Sequence, residues 1–584
     1  MALNFSKAVN RLFTATTPLL RLIIKLVRGN SSSKTLPVWA TSVIYFLRKF
    51  YYARKIINFL GLNLGNFFSI YPINIPTITI QPNLDFLILE LPPRYEPFVP
   101  NGIGYVYNIL KDVNIRFQII DVNIVFYHRY HSKRVLENIS PFTTPDGYVM
   151  PNDPWTPTTA KEWERPEVLK YFMSQIEEVI QEISEKPPKA IGISVHGINR
   201  ALSKLFVKAL RERMPGIVIV VGGYDCVYRE IGPRIFPDFD YMFIGETEMT
   251  LGTFIRDLTV GKKPKDLPGI ISRFDSPERV WAEPPLLENL DSAGFPRYEW
   301  SDLGLYMNYA GNRIMPITAT RGCKWGKCRF CAECFPFRKR SSRNVVDEIE
   351  YFAQQGIYSF VFNESDVNGE PQLLSDICSE IIRRDLNVHL MGQLRIDKKN
   401  TKEHFALLAK AGFKYLRFGI DGWTDKILRL QRKGYKMDLV LENLRNCKKV
   451  GLFSAVNIVV GIPGETEEDV DDMIKNLLHY SNYYDMLSQA NTLILAGGSH
   501  YYKNPEKHGI RFRGDKKSIY EQHPYFVPTD LWYSTEPYID QEIRVRRMDK
   551  ILNELDKHQV AIGEAALDLL DNLKTRENEL KQRL

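Results

Sequence analysis

Short apolar runs alternate with amphipathic helical stretches from Asp85 to Gly498, and this alternation restricts the fold more than any other feature of the chain. In the first half, "DFLILELPP", "FQIIDVN", "AIGISVHG", "IVIVVGG" and "YMFIGETE" read as strands. "GIGYVYNILKD", residues 166–184 and "RALSKLFVKALRERM" read as helices between them, with a polar, proline-rich insertion around 131–165. Strands separated by helices pair in parallel, so residues 84–275 are expected to form a doubly wound α/β sheet. Ligands of such sheets sit beyond the carboxyl ends of the strands. Those ends are Glu90–Pro93, Val195–Asn199, Gly222–Asp225 and Gly245–Glu248, and the glycines there would let a large planar or phosphate-bearing ligand approach the backbone.

A linker with several prolines, 276–312, leads to a second series of strands. These are "MPITATRG" (315–322), "YSFVFNES" (358–365), "VHLMGQLR" (388–395), "YLRFGID" (415–421), "SAVNIVVG" (454–461) and "NTLILAGG" (491–498). Helical patterns such as "DEIEYFAQQ" and "EEDVDDMIKNLLHY" separate them. Six β/α units imply an open, partial (β/α) barrel over 313–529, with its active site at the C-terminal strand ends.

The two ends have a different texture. Residues 1–84 hold ten Lys and Arg and no acid, while the rest of the chain holds 67 basic against 69 acidic groups. All the excess positive charge therefore lies in the extension 1–83. "LLRLIIKLVRGN" and "SVIYFLRKFYYARKIINFL" fit helices lying in a membrane interface through residues 1–60, helices packed on the body, or an acid-poor transit peptide. No stretch approaches the roughly 20 uninterrupted apolar residues of a spanning helix. The slightly acidic body argues against a nucleic-acid binder. The tail, 530–584, reads as charged and mostly helical, a docking element rather than a catalytic one.

"RGCKWGKCRFCAEC" holds four of the seven cysteines, spaced Cys323-x4-Cys328-x2-Cys331-x2-Cys334. An odd, clustered set does not make a disulfide framework and points to a reducing compartment. Thiolates suit an iron–sulfur cluster or zinc. Three of them can hold three corners of a [4Fe-4S] cube and leave one iron open to a substrate or cofactor. Lys324, Lys327 and Arg329 are expected to lower the thiol pKa values. A zinc ribbon needs a second cysteine pair, which is missing. Cys378 and Cys447 look like small buried hydrophobes.

"RGCKWGKCRFC" after a strand resembles the signature loop of radical S-adenosylmethionine enzymes. Its x4 spacing resembles the subgroup with an N-terminal, Rossmann-like cobalamin-binding domain. The resemblance covers roughly 84–530. It implies that Cys323, Cys328 and Cys331 ligate a [4Fe-4S] cluster whose open iron takes the amine and carboxylate of S-adenosylmethionine. It places Phe330 near the adenine, Glu364 and Asp366 facing the site, and Arg395 on the methionine carboxylate. "RFGIDGWTDKILRLQRKG" resembles a family stretch in which Asp421 replaces the usual Glu. "VVGIPGETEED" matches a fifth-strand motif, with Gly461 and Pro463 beside the cofactor. Cys334 would be a spectator near the cluster.

The upstream sheet resembles the subgroup's cobalamin domain, with His196, Gly222, Gly223, Gly245 and Glu246 toward the corrinoid. The D-x-H-x-x-G motif that supplies a cobalt ligand is missing; that region reads "LELPPRYEPFVPNG". The resemblance implies reductive cleavage of S-adenosylmethionine to a 5′-deoxyadenosyl radical and methylation of an unactivated carbon through cobalamin. Two alternatives stand beside it. One is a radical cyclase, oxidase or rrearrangement enzyme without cobalamin, acting on a small molecule or a lipid. The other is a non-catalytic iron–sulfur sensor. The expected electron donor is a flavodoxin or ferredoxin. The expected location is the cytoplasm, at the membrane surface if the extension binds lipid.

Overall fold

The computed structural model describes residues 69–563 except 96, 138–141, 158 and 334, together with 565, 566 and 569. Most of the N-terminal extension, and the expectations of interfacial helices made for it, lie outside the described residues. Pro72–Asn308 and the chain from Asn312 onward cluster into one compact unit, which holds two six-stranded sheets.

The first sheet is built from β1 (Phe86–Glu90), β2 (Phe117–Asp121), β3 (Ala190–Ser194), β4 (Val218–Gly222), β5 (Tyr241–Phe243) and β6 (Ile270–Ser272). Its order is β2-β1-β3-β4-β5-β6, parallel throughout except for the antiparallel edge strand β6. All five residues of β1 are buried, as a strand covered by helices on both faces must be. The order reverses between β1 and β3, so Glu90 and Ser194–His196 stand at the switch point where doubly wound sheets bind ligands.

Two sequence expectations change here. The stretch after β2 is a fifteen-residue helix, α2 (Val122–Leu136), started by the Asp121 side chain accepting from Ile124 N. Its pattern was hidden because Asn123, His128, His131 and Arg134 are buried among Val122, Ile124, Val125 and Phe126 and break up the apolar periodicity. The segment 276–312 is no free linker. Asn108 of α1 (Asn101–Val113) donates to the carbonyls of Ala293 and Phe295, and a side chain at Gly104 would run into Pro296.

Buried His128 lies 2.6 Å from the Leu305 carbonyl, and burial pushes its pKa down to about 4. The neutral ring is thus favoured in the folded state. Its share of stability is complete above the unfolded value of 6.5 and is lost as pH falls toward 4, amounting to about 3 kcal/mol. Denaturation midpoints should fall between pH 7 and pH 4.5, and the His128→Gln variant should show a shallower fall. An equal fall in both proteins would rule the histidine out.

The second sheet takes β7 (Met315–Ile317), β8 (Ser359–Phe362), β9 (His389–Leu394), β10 (Phe413–Asp421), β11 (Phe453–Val460) and β12 (Met486–Thr492) in simple sequential order, all parallel. It is an open barrel-type sheet with β7 and β12 at its edges. The sixth strand lies upstream of the expected 491–498. "MLSQANT" forms it, pairing in parallel with Phe453–Val460, whereas the more apolar Leu495–Ala496 pairs with Phe526–Val527. Beyond residue 530 a short hairpin, Trp532–Thr535 with Tyr538–Ile539, precedes the helix α3 (Gln541–Lys557). Leu487 of β12 then exchanges backbone hydrogen bonds with Ala561 and Gly563, which covers that edge of the sheet. Among the described residues no helix is long and apolar enough to cross a membrane.

Candidate functional site

The cysteine loop leaves the C-terminal end of β7 and is closed at its base by a two-residue ladder, Thr320–Arg321 against Arg338–Lys339. Gly322 opens it at φ +76°, where a Cβ would overlap the carbonyls of Phe335 and Pro336. No other residue fits that turn. Glu364, just past β8, accepts from the backbone N–H groups of Ala319 and Thr320 and so holds the start of the loop. Burial pushes its carboxyl up to about 7 in spite of those bonds, and its Oε2 is buried without a partner. Asp366 accepts from Arg395 N at 3.1 Å and Asn368 N at 3.2 Å.

The far side of the loop rests on residues 430–435. Arg329 N donates to Gln431 O (3.1 Å), Arg329 Nη1 to Leu430 O (3.0 Å) and Trp325 Nε1 to Arg432 O (3.0 Å). The Trp325 ring lies against Gly434 where a side chain would otherwise be. The loop is thereby clamped at both ends, with Cys323 and Cys328 half-buried and Cys331 exposed.

Although Cys331 is exposed as a residue, desolvation of its thiol pushes it up to about 11, with Cys328 and Cys323 adding to the rise. Cys328 is also raised by burial, with Lys433 and then Arg395 acting against it. The sequence expectation about neighbouring cations is corrected here. Lys324 is spent on Glu370 (2.5 Å), Lys327 lies over the Trp325 ring, and Arg329 serves the Leu430 carbonyl. The cations that act on Cys328 come from other strands. Among the described residues no three His, Cys, Asp or Glu side chains converge as a single bound metal ion requires.

Arg395, at the end of β9, has its guanidinium 4.2 Å from the Trp325 ring centre and 4.9 Å from that of Tyr435. Among the described residues no carboxylate lies within 4.0 Å of it, so it is not a rim salt bridge. Phe330 stacks over the Lys433 ammonium at 5.8 Å. Asp421 ends β10 at φ +62°, and both its oxygens are occupied: Oδ2 by Lys433 Nζ at 2.6 Å and Oδ1 by Asn457 Nδ2 at 2.7 Å. The place of a Cβ at Gly461 is filled by Arg544 of α3. Beside buried Pro463, Glu465 accepts from Gly461 N and pairs with buried Arg547. The fifth-strand motif thus anchors the C-terminal helix. Cys334 lies outside the described residues.

At the first sheet's strand ends, His196 Nε2 lies 3.0 Å from the buried carboxylate of Glu90, which Arg94 also approaches. Gly223, at φ +105°, is required because a Cβ would meet the Val195 backbone. At Gly222 a Cβ would meet Phe243, and at Gly245, which sits at φ +70°, it would meet Pro284, both at ordinary contact distance. Glu246 points to the other sheet, where it pairs with Arg338 and with Arg321 at 3.1 Å. Glu248 adds a second bond to Arg321 at 2.6 Å. Tyr228 donates to the carbonyl of Ala332, the residue after Cys331, at 2.6 Å. Lys433, Tyr435, Asn457 and Tyr228 were missed by sequence reasoning. Lys433 and Asn457 lay within stretches already quoted, 417–434 and 454–461.

Comparison with known proteins agrees with this geometry. Residues 317–477 match the radical SAM superfamily. An uncharacterised methyltransferase of Pyrococcus horikoshii is 24% identical over 299 residues, which are 50% of this chain and 64% of the relative. The chain thus spans a little under two thirds of that relative's length. The radical S-adenosylmethionine methyltransferase TsrM of Kitasatospora setae, solved with cobalamin and a [4Fe-4S] cluster, superposes with a TM-score of 0.58. That match is 16% identical and covers 85% of this chain and all of TsrM. The cobalamin-dependent S-adenosylmethionine radical enzyme OxsB, solved with aqua-cobalamin and S-adenosylmethionine, gives 0.59 at 13% identity over 85% of this chain and 71% of OxsB. At these identities the likeness is one of fold.

Proposed function

We propose, from the match of residues 317–477 to the radical SAM superfamily, that this chain is a cobalamin-dependent radical methyltransferase acting on an unactivated carbon. The observation that carries the proposal is the clamped loop of Cys323, Cys328 and Cys331 beside Arg395, which has no ion pair among the described residues. The three thiols fit a [4Fe-4S] cluster, and Arg395 fits the carboxylate of S-adenosylmethionine. When bound, the cluster and S-adenosylmethionine supply a 5′-deoxyadenosyl radical and cobalamin a transferable methyl group, with electrons from a flavodoxin- or ferredoxin-type donor.

The chain's own residues orient and shield. Arg395 would hold the carboxylate with its guanidinium fork, whose plane rests against the rings of Trp325 and Tyr435. Oε2 of Glu364 is the acceptor left over for a ligand N–H. Glu364 and Asp366 also hold the loop and the Arg395 backbone in register. Toward cobalamin, Gly222 and Gly245 at the strand ends would line the approach of a planar ligand, but His196 is committed to Glu90 and does not fit as a cobalt ligand. Arg395→Ala should weaken S-adenosylmethionine binding by roughly tenfold to a hundredfold, the value of a charge-assisted hydrogen bond. Arg395→Lys should recover little, since a lysine cannot stack or fork. Calorimetric titration of the reconstituted protein measures both, and unchanged affinity removes Arg395 from the site.

A second reading, a radical enzyme whose upstream sheet is a scaffold, is favoured by the commitment of both His196 and Glu246 to protein partners. The two separate in one experiment. The protein is reconstituted anaerobically, reduced with S-adenosylmethionine and hydroxocobalamin present, and assayed for 5′-deoxyadenosine, S-adenosylhomocysteine and retained corrinoid. Deoxyadenosine with corrinoid supports the methyltransferase. Deoxyadenosine without corrinoid supports the scaffold. A loaded cluster with neither product argues for a non-catalytic iron–sulfur protein.

A further inference from the structure

Lys433 is a deeply enclosed cation beside the cysteine loop. The residue is 4% exposed, and its ammonium lies 2.6 Å from Asp421 Oδ2 and within 6 Å of the rings of Phe330 (5.8 Å) and Tyr435 (5.9 Å). The segment that carries it is locked to the loop by the bonds from Arg329 and Trp325 to residues 430–432. Asp421 is itself fixed: Asn457 holds its other oxygen and Gln431 Nε2 holds its carbonyl at 2.8 Å.

Placing an ammonium at this depth is costly unless it is compensated. Burial acts to lower its pKa, but Asp421, then Tyr435 and Cys328, act the other way and the net effect is to hold the proton more firmly than on a free lysine. The charge is therefore permanent under working conditions. It is also out of reach of a diffusible anion. Arg395, half-buried and without an ion pair, is the cation a carboxylate would meet first.

We propose that Lys433 is a positioning residue, a fixed internal cation that holds the negative charge of an iron–sulfur cluster on Cys328 and its neighbours and raises the potential at which that cluster is reduced. This deepens the proposed function and rests on it. Low local dielectric makes a nearby fixed charge effective, and cluster potentials follow net charge and exposure. Asp421 keeps the ammonium in place and tempers it. Because both groups are spent on each other, neither is free to bind substrate.

The test is an EPR-monitored redox titration of the anaerobically reconstituted full chain, with iron and sulfide counted and no turnover required. Wild type is compared with Lys433→Met, Lys433→Arg and the double variant Asp421→Asn/Lys433→Met, which removes the buried pair without leaving a lone charge. In Lys433→Met the reduced fraction at a fixed potential should fall about tenfold, a shift of about 59 mV for a one-electron couple. Lys433→Arg should restore it. Cluster loss in both neutral variants with retention in Lys433→Arg also supports the proposal, since it shows that the charge is needed for loading. An unchanged potential in Lys433→Met, or cluster loss in all three variants, overturns it and leaves Lys433 a packing residue. If wild type itself takes up no four-iron cluster, the parent reading fails.

Discussion

Cys328→Ala should leave the anaerobically reconstituted protein without its iron–sulfur absorption and unable to cleave S-adenosylmethionine. Cys328 sits at the centre of the clamped loop, between the half-buried Cys323 and the exposed Cys331, and is the thiol on which Lys433 and Arg395 act. Losing a ligand should cost more than the roughly 10–100-fold that outer contacts of a metal site cost. Iron and sulfide analysis gives the direct count, and deoxyadenosine formation gives the consequence. Cys334→Ala supplies the contrast. The spacing assigns it no ligand role, so its iron content should equal that of wild type. If Cys334→Ala loses iron and Cys328→Ala keeps it, the ligand set is wrong.

The second large effect concerns the seam between the two sheets. Glu246 leaves the end of β5 and meets Arg338 and Arg321, the two arginines at the base of the cysteine loop. Its side chain is 7% exposed, and those of Arg338 and Arg321 are 10% and 18% exposed. Removing one partner of such a pair leaves charges buried without compensation and costs about 3 kcal/mol, the low end for buried pairs. Glu246→Gln should therefore open the hairpin locally before the chain unfolds. Amides of Arg338–Arg340 should exchange roughly a hundredfold faster, since 1.4 kcal/mol is a factor of ten. Unchanged exchange there would mean that Glu248 and Tyr228 suffice to hold the seam. A substantial loss of cluster in the same variant would show that the upstream sheet supports loading of the loop.

The order of elements was readable because it depends on local patterns. "FLILE" and "VIVVG" are largely buried runs too short for helices; an amphipathic helix follows the first and another precedes the second. Where polar residues line a buried face, the pattern failed. Helix α2 hid behind Asn123, His128 and Arg134, and β12 hid behind Ser488, Gln489 and Asn491. In both cases the polar groups are satisfied by partners distant in sequence. Asn123 accepts from Trp155 Nε1, and Ser488 donates to Val456 O.

The site was legible to a similar degree and for the same reason. Ligand spacing is a property of one loop, so Cys323, Cys328 and Cys331 could be named from the chain. The roles of Asp421, Gly461 and Glu246 could not, because each depends on a side chain that arrives from elsewhere. Asp421 meets Lys433 and Asn457, Gly461 makes room for Arg544, and Glu246 meets Arg338.

The sequence by itself determined the two α/β sheets, the position of the cysteine loop at a strand's C-terminal end, and the excess positive charge of the first 84 residues. Only the tertiary structure decided which charges act on the thiols. Lys324, Lys327 and Arg329 are neighbours along the chain but turn to Glu370, Trp325 and a carbonyl. Lys433 and Arg395 are remote along the chain but close in space. Electrostatic energy follows distance and local dielectric, and neither quantity exists until the strands have been brought together.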